Sequence, residues 1–185
     1  GAVNITAGSS ATNQTNVTWT SNGTGTFINP NSLTTCTYTP SAADITAGSR
    51  TLTLTAFGNS PCGNVTATKT ITINTLPTAV AGTAIATCSS AGAINITTGS
   101  SATNQNSVAW TSSGTGTFAN ATSLTTCTYN PSAADITAGS VTLTLTANGN
   151  APCGNVTATK ILTITTLPTA VAGTTITTCS TAGAI

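Results

Sequence analysis

The sequence predicts an all-β protein made of two-layered β-sandwich domains in tandem, and three observations carry that prediction. The chain repeats itself at an offset of 91 residues, with 72 of 91 positions identical between the copies. A period of that length is the size of a small domain and too long for one turn of a solenoid. Apolar and hydroxylated side chains alternate along short segments, as in VTLTLTA from Val141 to Ala147, which is the pattern of a half-buried strand. Turn signals rich in Gly, Asn, Ser and Pro separate about seven such segments in each repeat, the count expected of a sandwich.

TLPTAVAG, at residues 75–82 and again at 166–173, is the linker candidate. Its proline stiffens an extended segment and cannot donate to a sheet ladder. Boundaries placed there make residues 77–167 a complete repeat, residues 1–76 a repeat lacking its first strand, and residues 168–185 the first strand of the next. The closing GAI (183–185) stands at the phase where GAV (1–3) stood. Two readings follow: the chain is a window on a longer tandem array, or its trailing strand completes a neighbouring subunit by strand addition to a sheet edge.

Within the complete repeat, strands are expected at 83–87, 93–97, 107–111, 115–118 and 125–129, parted by SSAG, GSSATNQ, SSG and NPSAAD. In SAAD (132–135), Ser132 is placed to cap a helical turn and Asp135, three residues on, to cap back. One helical turn should follow, and Ala138-Gly139 should release the chain into the Val141 strand. Such a segment is a crossover between the two sheets. It accounts for the near-identity of residues 33–49 and 124–140, because the same corner is built twice. A rival reading gives Asp44 and Asp135 a binding role. Val141, Leu143, Leu145 and Ala147 share one face of the next strand, with Thr142, Thr144 and Thr146 on the other. The PCGN turn then folds it into a hairpin with its successor, TATKTITI (66–73) in the first copy.

Composition excludes several functions. Arg50, Lys69, Lys160, Asp44 and Asp135 are the only charged side chains, there is no His, and Thr and Ser exceed a third of the chain. A net charge of +1 lacks the basic patch that nucleic acid requires, and no apolar run approaches a membrane span. One acid per repeat forms no carboxylate pair, no triad is possible without His, and no acidic cluster awaits calcium. GTGTF lacks the Lys-Ser/Thr of a phosphate loop and reads as a turn into a strand. No cofactor is expected, and no enzyme. A hydrophobic fraction of 38% nevertheless supports modest cores.

WTSSGTGTF, the run TTCTYNPSAADITAGSVTLTLTANGNAPCG and the PTAVAG opening resemble the immunoglobulin-like and PKD-like repeats of very large secreted proteins of Bacteroidota-type bacteria. The resemblance covers the whole chain and is most specific in SAADITAGSVTLTLTA. It implies tandem immunoglobulin-like sandwiches secreted to the cell surface or beyond, with Trp19 and Trp110 as the core tryptophan of the third strand. Antibody domains differ in one respect: the VTLTLTA strand here has no Cys for the usual bridge between sheets.

Cys36, Cys62, Cys88, Cys127, Cys153 and Cys179 fall three to a repeat, with no CxxC and no His, which disfavours zinc. Disulfides are the default in a secreted chain. An odd number leaves one cysteine per repeat free or paired across domains. Cys88 is expected to pair within its own unit, with Cys127 or Cys153, and a bridge between neighbouring units would stiffen a fibre. Sequons occur at Asn4, Asn13, Asn16, Asn22, Asn64, Asn95, Asn120 and Asn155, of which only Asn4/Asn95 and Asn64/Asn155 recur in both copies. Chance occurrence competes with glycosylation in so Thr- and Asn-rich a chain, although a nearly uncharged surface needs a hydrating layer. Lys69 and Lys160 fall on the inward face of their strand and are expected to snorkel outward from an edge strand.

The function so predicted is that of a structural unit in an extracellular fibre or adhesin stalk, glycosylated and flanked head to tail by identical repeats. The alternative is a module binding carbohydrate or ice through its Thr-rich strands and loops.

Overall fold

The computed structural model describes residues 1–179. The chain forms two compact units. One comprises Gly1–Thr78 with Ala102–Ser107 and Ala147–Val156; the other comprises Ala79–Ser101, Val108–Thr146 and the chain from Thr157 onward.

In the first repeat, β1 (Val3–Asn4), β2 (Gln14–Ser21), β3 (Thr26–Ile28) and β4 (Thr37–Thr39) precede α1 (Ala42–Ala47), β5 (Ser49–Gly58) and β6 (Val65–Thr72). One sheet has the order β2-β5-β6 and the other β1-β4-β3, with every pair antiparallel. Alternation along β2 and β5 turns Val17, Trp19, Leu52 and Leu54 inward, against Ile5, Cys36 and Tyr38. Burying each large apolar side chain contributes roughly 1.5–3 kcal/mol. The same alternation sends threonine outward and aligns it across strands.

The second repeat adds β7 (Thr78–Val80), β8 (Ile85–Cys88), β9 (Ile94–Asn95), β10 (Ser101–Thr103), β11 (Gln105–Ser112), β12 (Thr117–Ala119), β13 (Thr128–Asn130), α2 (Ala133–Ala138), β14 (Ser140–Gly149) and β15 (Val156–Thr165). Its sheets run β11-β14-β15-β8 and β12-β13-β9, with β10 and β7 as a further pair. The connection from β13 through α2 to β14 passes from one sheet to the other, as the capping signal anticipates. Val108, Trp110, Leu143, Leu145, Leu162 and Ile164 lie in the core.

Two strands fall where none is expected. β7 occupies the stretch read as a linker. It is anchored by neighbours: Pro77 and Ala81 are buried although the segment has no strong apolar alternation. β10 lies inside GSSATNQ, read as a turn, and is followed by Asn104 in the left-handed region (φ 58°). Thr169–Thr178 form no strand, and Val171 and Ile176 are 93% and 92% exposed. The phase assigned to residues 183–185 lies outside the described residues.

Candidate functional site

The densest polar constellation lies at the helical corner. In the second repeat, Ser132 caps α2: its hydroxyl accepts from the Asp135 amide at 3.1 Å, and its own amide donates to Asp135 Oδ2 at 3.0 Å. Tyr129 on β13 donates its hydroxyl to the same oxygen at 2.7 Å. The amides of Thr115 and Gly116, in the loop entering β12, donate to the carboxylate at 3.0 and 2.9 Å. Ser112, at the end of β11, reaches the Tyr129 hydroxyl at 3.2 Å. Groups from β13, the loop entering β12 and the cap of α2 thus converge on one carboxylate that is 3% exposed, and Ser112 ties Tyr129 to the other sheet. The glycines of GTGTF make room for it, since a Cβ on Gly114 would collide with Asp135 and one on Gly116 with Tyr129 and the Asn130 carbonyl. With three donors on Oδ2, one on Oδ1 and 3% exposure, Asp135 is spent inside the protein, and the arrangement is a structural pin.

Asp44 repeats the pin with Tyr38 (2.7 Å), Ser41 (3.0 Å) and Thr24 (3.1 Å). Arg50, which Val141 replaces in the second copy, adds an ion pair at 2.6 Å. The Arg50 hydrogen bond leads the groups that hold the Asp44 carboxyl well below the usual carboxylate range. Burial pushes the Asp135 carboxyl up, but hydrogen bonds from Tyr129, Ser132 and Thr115 outweigh it and hold it at about 2. Both are depressed below the ordinary 3.8. Their contribution is therefore complete above that value and is lost as pH falls through the folded values. No other acidic side chain exists. The melting temperature should accordingly be flat from pH 7 down to about 4 and drop steeply toward pH 2, which a thermal denaturation series read by circular dichroism measures.

Lys160 corrects the snorkelling expectation, whereas Lys69 lies on β6, an edge strand of its sheet among the described residues. Lys160 is 5% exposed, stacks over Trp110 with Nζ 5.2 Å from the ring centroid, and donates to the Ile96 carbonyl. Burial lowers its pKa. Its strand is no edge, because β8 pairs in parallel along β15, with Leu162 opposite Ile85 and Thr165 opposite Cys88. Lys69 lies 5.0 Å from the Trp19 ring and donates to Ser9 Oγ at 3.2 Å, but remains half-buried. A cation–π contact and a backbone carbonyl replace the outward path to water. Trp19 and Trp110 are core residues of β2 and β11, 3% and 2% exposed.

The expected disulfide of Cys88 with Cys127 or Cys153 is not formed. Cys36, Cys62, Cys88, Cys127 and Cys153 are free thiols. Cys36 and Cys127 are fully buried, Cys153 sits in the hairpin turn, and Cys88 ends β8, where Ser90 donates to its sulfur at 3.4 Å. Cys179 is exposed. Burial raises the Cys36 and Cys127 thiols. Iodoacetamide should therefore modify Cys62 in the native chain and leave Cys36 and Cys127 untouched until denaturant is added, as peptide mass mapping would show.

All eight sequon asparagines are exposed. The two shared pairs have structural work that explains their recurrence. Asn4 and Asn95 accept from the amides of Thr6 and Thr97 at 2.9 and 2.8 Å, and Asn64 and Asn155 accept from Gly58 and Gly149 to close the hairpin. Among the described residues no group of three or more Cys, Asp or Glu could hold a metal ion, and no helix is long and apolar enough to cross a membrane.

The fold and its pinned corners define a tandem immunoglobulin-like β-sandwich protein. No protein-family model matches the chain, and no curated protein does. Among solved structures, it is similar over 80% of its length to a protocadherin gammaB7 EC3-6 cis-dimer (15% identity, TM-score 0.37, 41% of that chain). Likeness to mouse protocadherin-24 EC1-3 covers 80% of this chain and 58% of that one (11% identity, TM-score 0.37). For human protocadherin-24 EC1-2 the figures are 82% and 83% (9% identity, TM-score 0.37). The chain thus spans less than two thirds of the first two. Likenesses of this size carry no functional weight, and the fold assignment rests on strand order and packing.

Proposed function

We propose that the protein is a structural repeat unit of an extracellular fibre or adhesin stalk, a linear chain of immunoglobulin-like domains. One observation carries this reading: the carboxylates and the buried lysine that chemistry would call on are spent inside the framework. Both carboxylates act as structural pins and Lys160 is sealed over a tryptophan, while the exposed strand faces carry threonine. Near-identical copies give constant spacing along a thread. The resemblance to repeats of giant secreted bacterial surface proteins points the same way, as does a surface whose hydration rests on hydroxyls, amides and, at the exposed sequons, attached sugar. Electron microscopy of native material, with a denaturing reducing gel, tests the proposal. Threads of fixed axial spacing and a polypeptide or assembly far above 18.0 kDa are expected. Dispersed globular particles of that mass would contradict it.

A second reading, a module binding carbohydrate or ice, draws on the threonine lattice. Thr18, Thr55 and Thr66 line up across β2, β5 and β6, as do Thr20, Thr53 and Thr68, at about 4.8 Å between strands and about 6.8 Å along them. Saturable binding on a glycan array, or inhibition of ice recrystallisation lost on Thr53→Val with Thr55→Val, would favour it.

A further inference from the structure

Cys88, Cys127 and Cys153 stand apart in the second repeat. Cys127 is sealed in the core. Cys88 is the last residue of β8 and lies opposite Thr165, the last residue of β15. Cys153 sits in the turn just before Val156, the first residue of β15. The length of that strand, about 30 Å, therefore separates the levels of Cys88 and Cys153. A disulfide needs Cα atoms within about 7 Å of each other. These two thiols cannot pair within one repeat, and each is left at its own end of β15.

Where a hairpin-turn thiol goes is fixed inside the unit that comprises Gly1–Thr78 and Ala147–Val156. Cys153 donates its thiol to the Asn74 carbonyl at 3.3 Å, and Asn74 Nδ2 donates to the Ala151 carbonyl at 2.6 Å. Thr165 is the counterpart of Asn74, one offset of 91 along the chain. Its carbonyl accepts from the amide of Ser89, the residue after Cys88, at 2.8 Å. A backbone carbonyl has two lone pairs. Thr165 thus has room for the Ser89 amide and for a hairpin-turn thiol from the repeat that follows, with Cys88 beside both. Thr165 lacks the amide that Asn74 uses, so the thiols are the tie left at this joint. We propose that Cys88 forms a disulfide with the hairpin-turn cysteine of the next repeat in the thread, which is Cys62 of a following copy. The lock presupposes the fibre reading and names what ties successive units. Hydrogen bonds from Ser90 lower the Cys88 pKa, which makes Cys88 the attacking thiolate. It displaces one half of a low-molecular-weight disulfide, and Cys62 then displaces the other half from the mixed disulfide. The two protein thiols lose two protons and two electrons, and the small disulfide leaves as two thiols.

The test is peptide mapping of the threads without reductant, after free thiols are blocked with N-ethylmaleimide. A peptide holding Cys88 is expected joined to one holding Cys62, which Ser60 distinguishes from the Cys153 turn with its Ala151. Reduction should release both. Cys62 should react with iodoacetamide in the single chain but in threads only after reduction. Cys88→Ser in the full chain should abolish the joined peptide and leave circular dichroism unchanged, because Cys88 is a half-buried strand end outside the core. Threads in which Cys88 and Cys62 are both blocked and unlinked, or in which Cys88 is joined to Cys127 or Cys153, would overturn the lock and leave the fibre reading standing. Cys88–Cys62 dimers of a protein that forms no threads would do the reverse, and a chain with neither bridge nor thread would overturn both.

Discussion

Replacing Asp135 with alanine is expected to destabilise the second repeat by about 3–5 kcal/mol, enough to unfold a marginal domain outright. The loss has several parts. The hydroxyl of Tyr129 and the amides of Thr115, Gly116 and Ser132 all donate to that carboxylate, and its removal leaves buried donors without an acceptor. The cap of α2 goes with it. Asp135→Asn keeps the shape but turns one acceptor into a donor facing other donors, so it should fall between alanine and wild type. Differential scanning calorimetry would show a transition shifted down or lost, while the first repeat, whose pin is Asp44, keeps its own. A fall under 1 kcal/mol would mean the corner is ornament.

Trp110→Ala is the second large effect, at about 3–5 kcal/mol for a buried tryptophan, toward the upper end because Trp110 does two further things. Its indole N–H donates to the Ser123 carbonyl at 3.3 Å, and its ring faces the ammonium of Lys160. Without the ring, a buried cation keeps only the Ile96 carbonyl. Trp110→Phe retains a ring face and should recover most of the loss. In the first repeat the Trp19 indole N–H has no partner and Lys69 is half-buried, so Trp19→Ala should cost less. Differential scanning calorimetry, with one transition for each repeat, reads the two effects separately.

The sequence announces what is local and hides what is not. Alternation in VTLTLTA, the SAAD capping signal and the 91-residue offset are each contained in a few consecutive letters, and β14, α2 and the tandem sandwich follow them. β7 and β10 escape because their side chains are small and their strand character comes from partners far along the chain. Lys160 misleads for the same reason: nothing near it announces Trp110 or the Ile96 carbonyl. The pin was half visible. Ser132 and Asp135 form a recognisable box, but the role of Tyr129 six residues earlier, and of Gly114 and Gly116, emerges only where the loop folds over the carboxylate. The recurrence of Tyr, Asp and the paired glycines at the same offset is the signal that would have joined them.

A 91-residue copy that closes around its own core should bear load as a unit. Single-molecule pulling on the tandem protein tests it most directly. Discrete, evenly spaced unfolding peaks are predicted, each lengthening the chain by about 260–290 Å, the extended span of one repeat less its folded length. A single event of twice that length, or featureless extension, would show that the repeats share one interior or none.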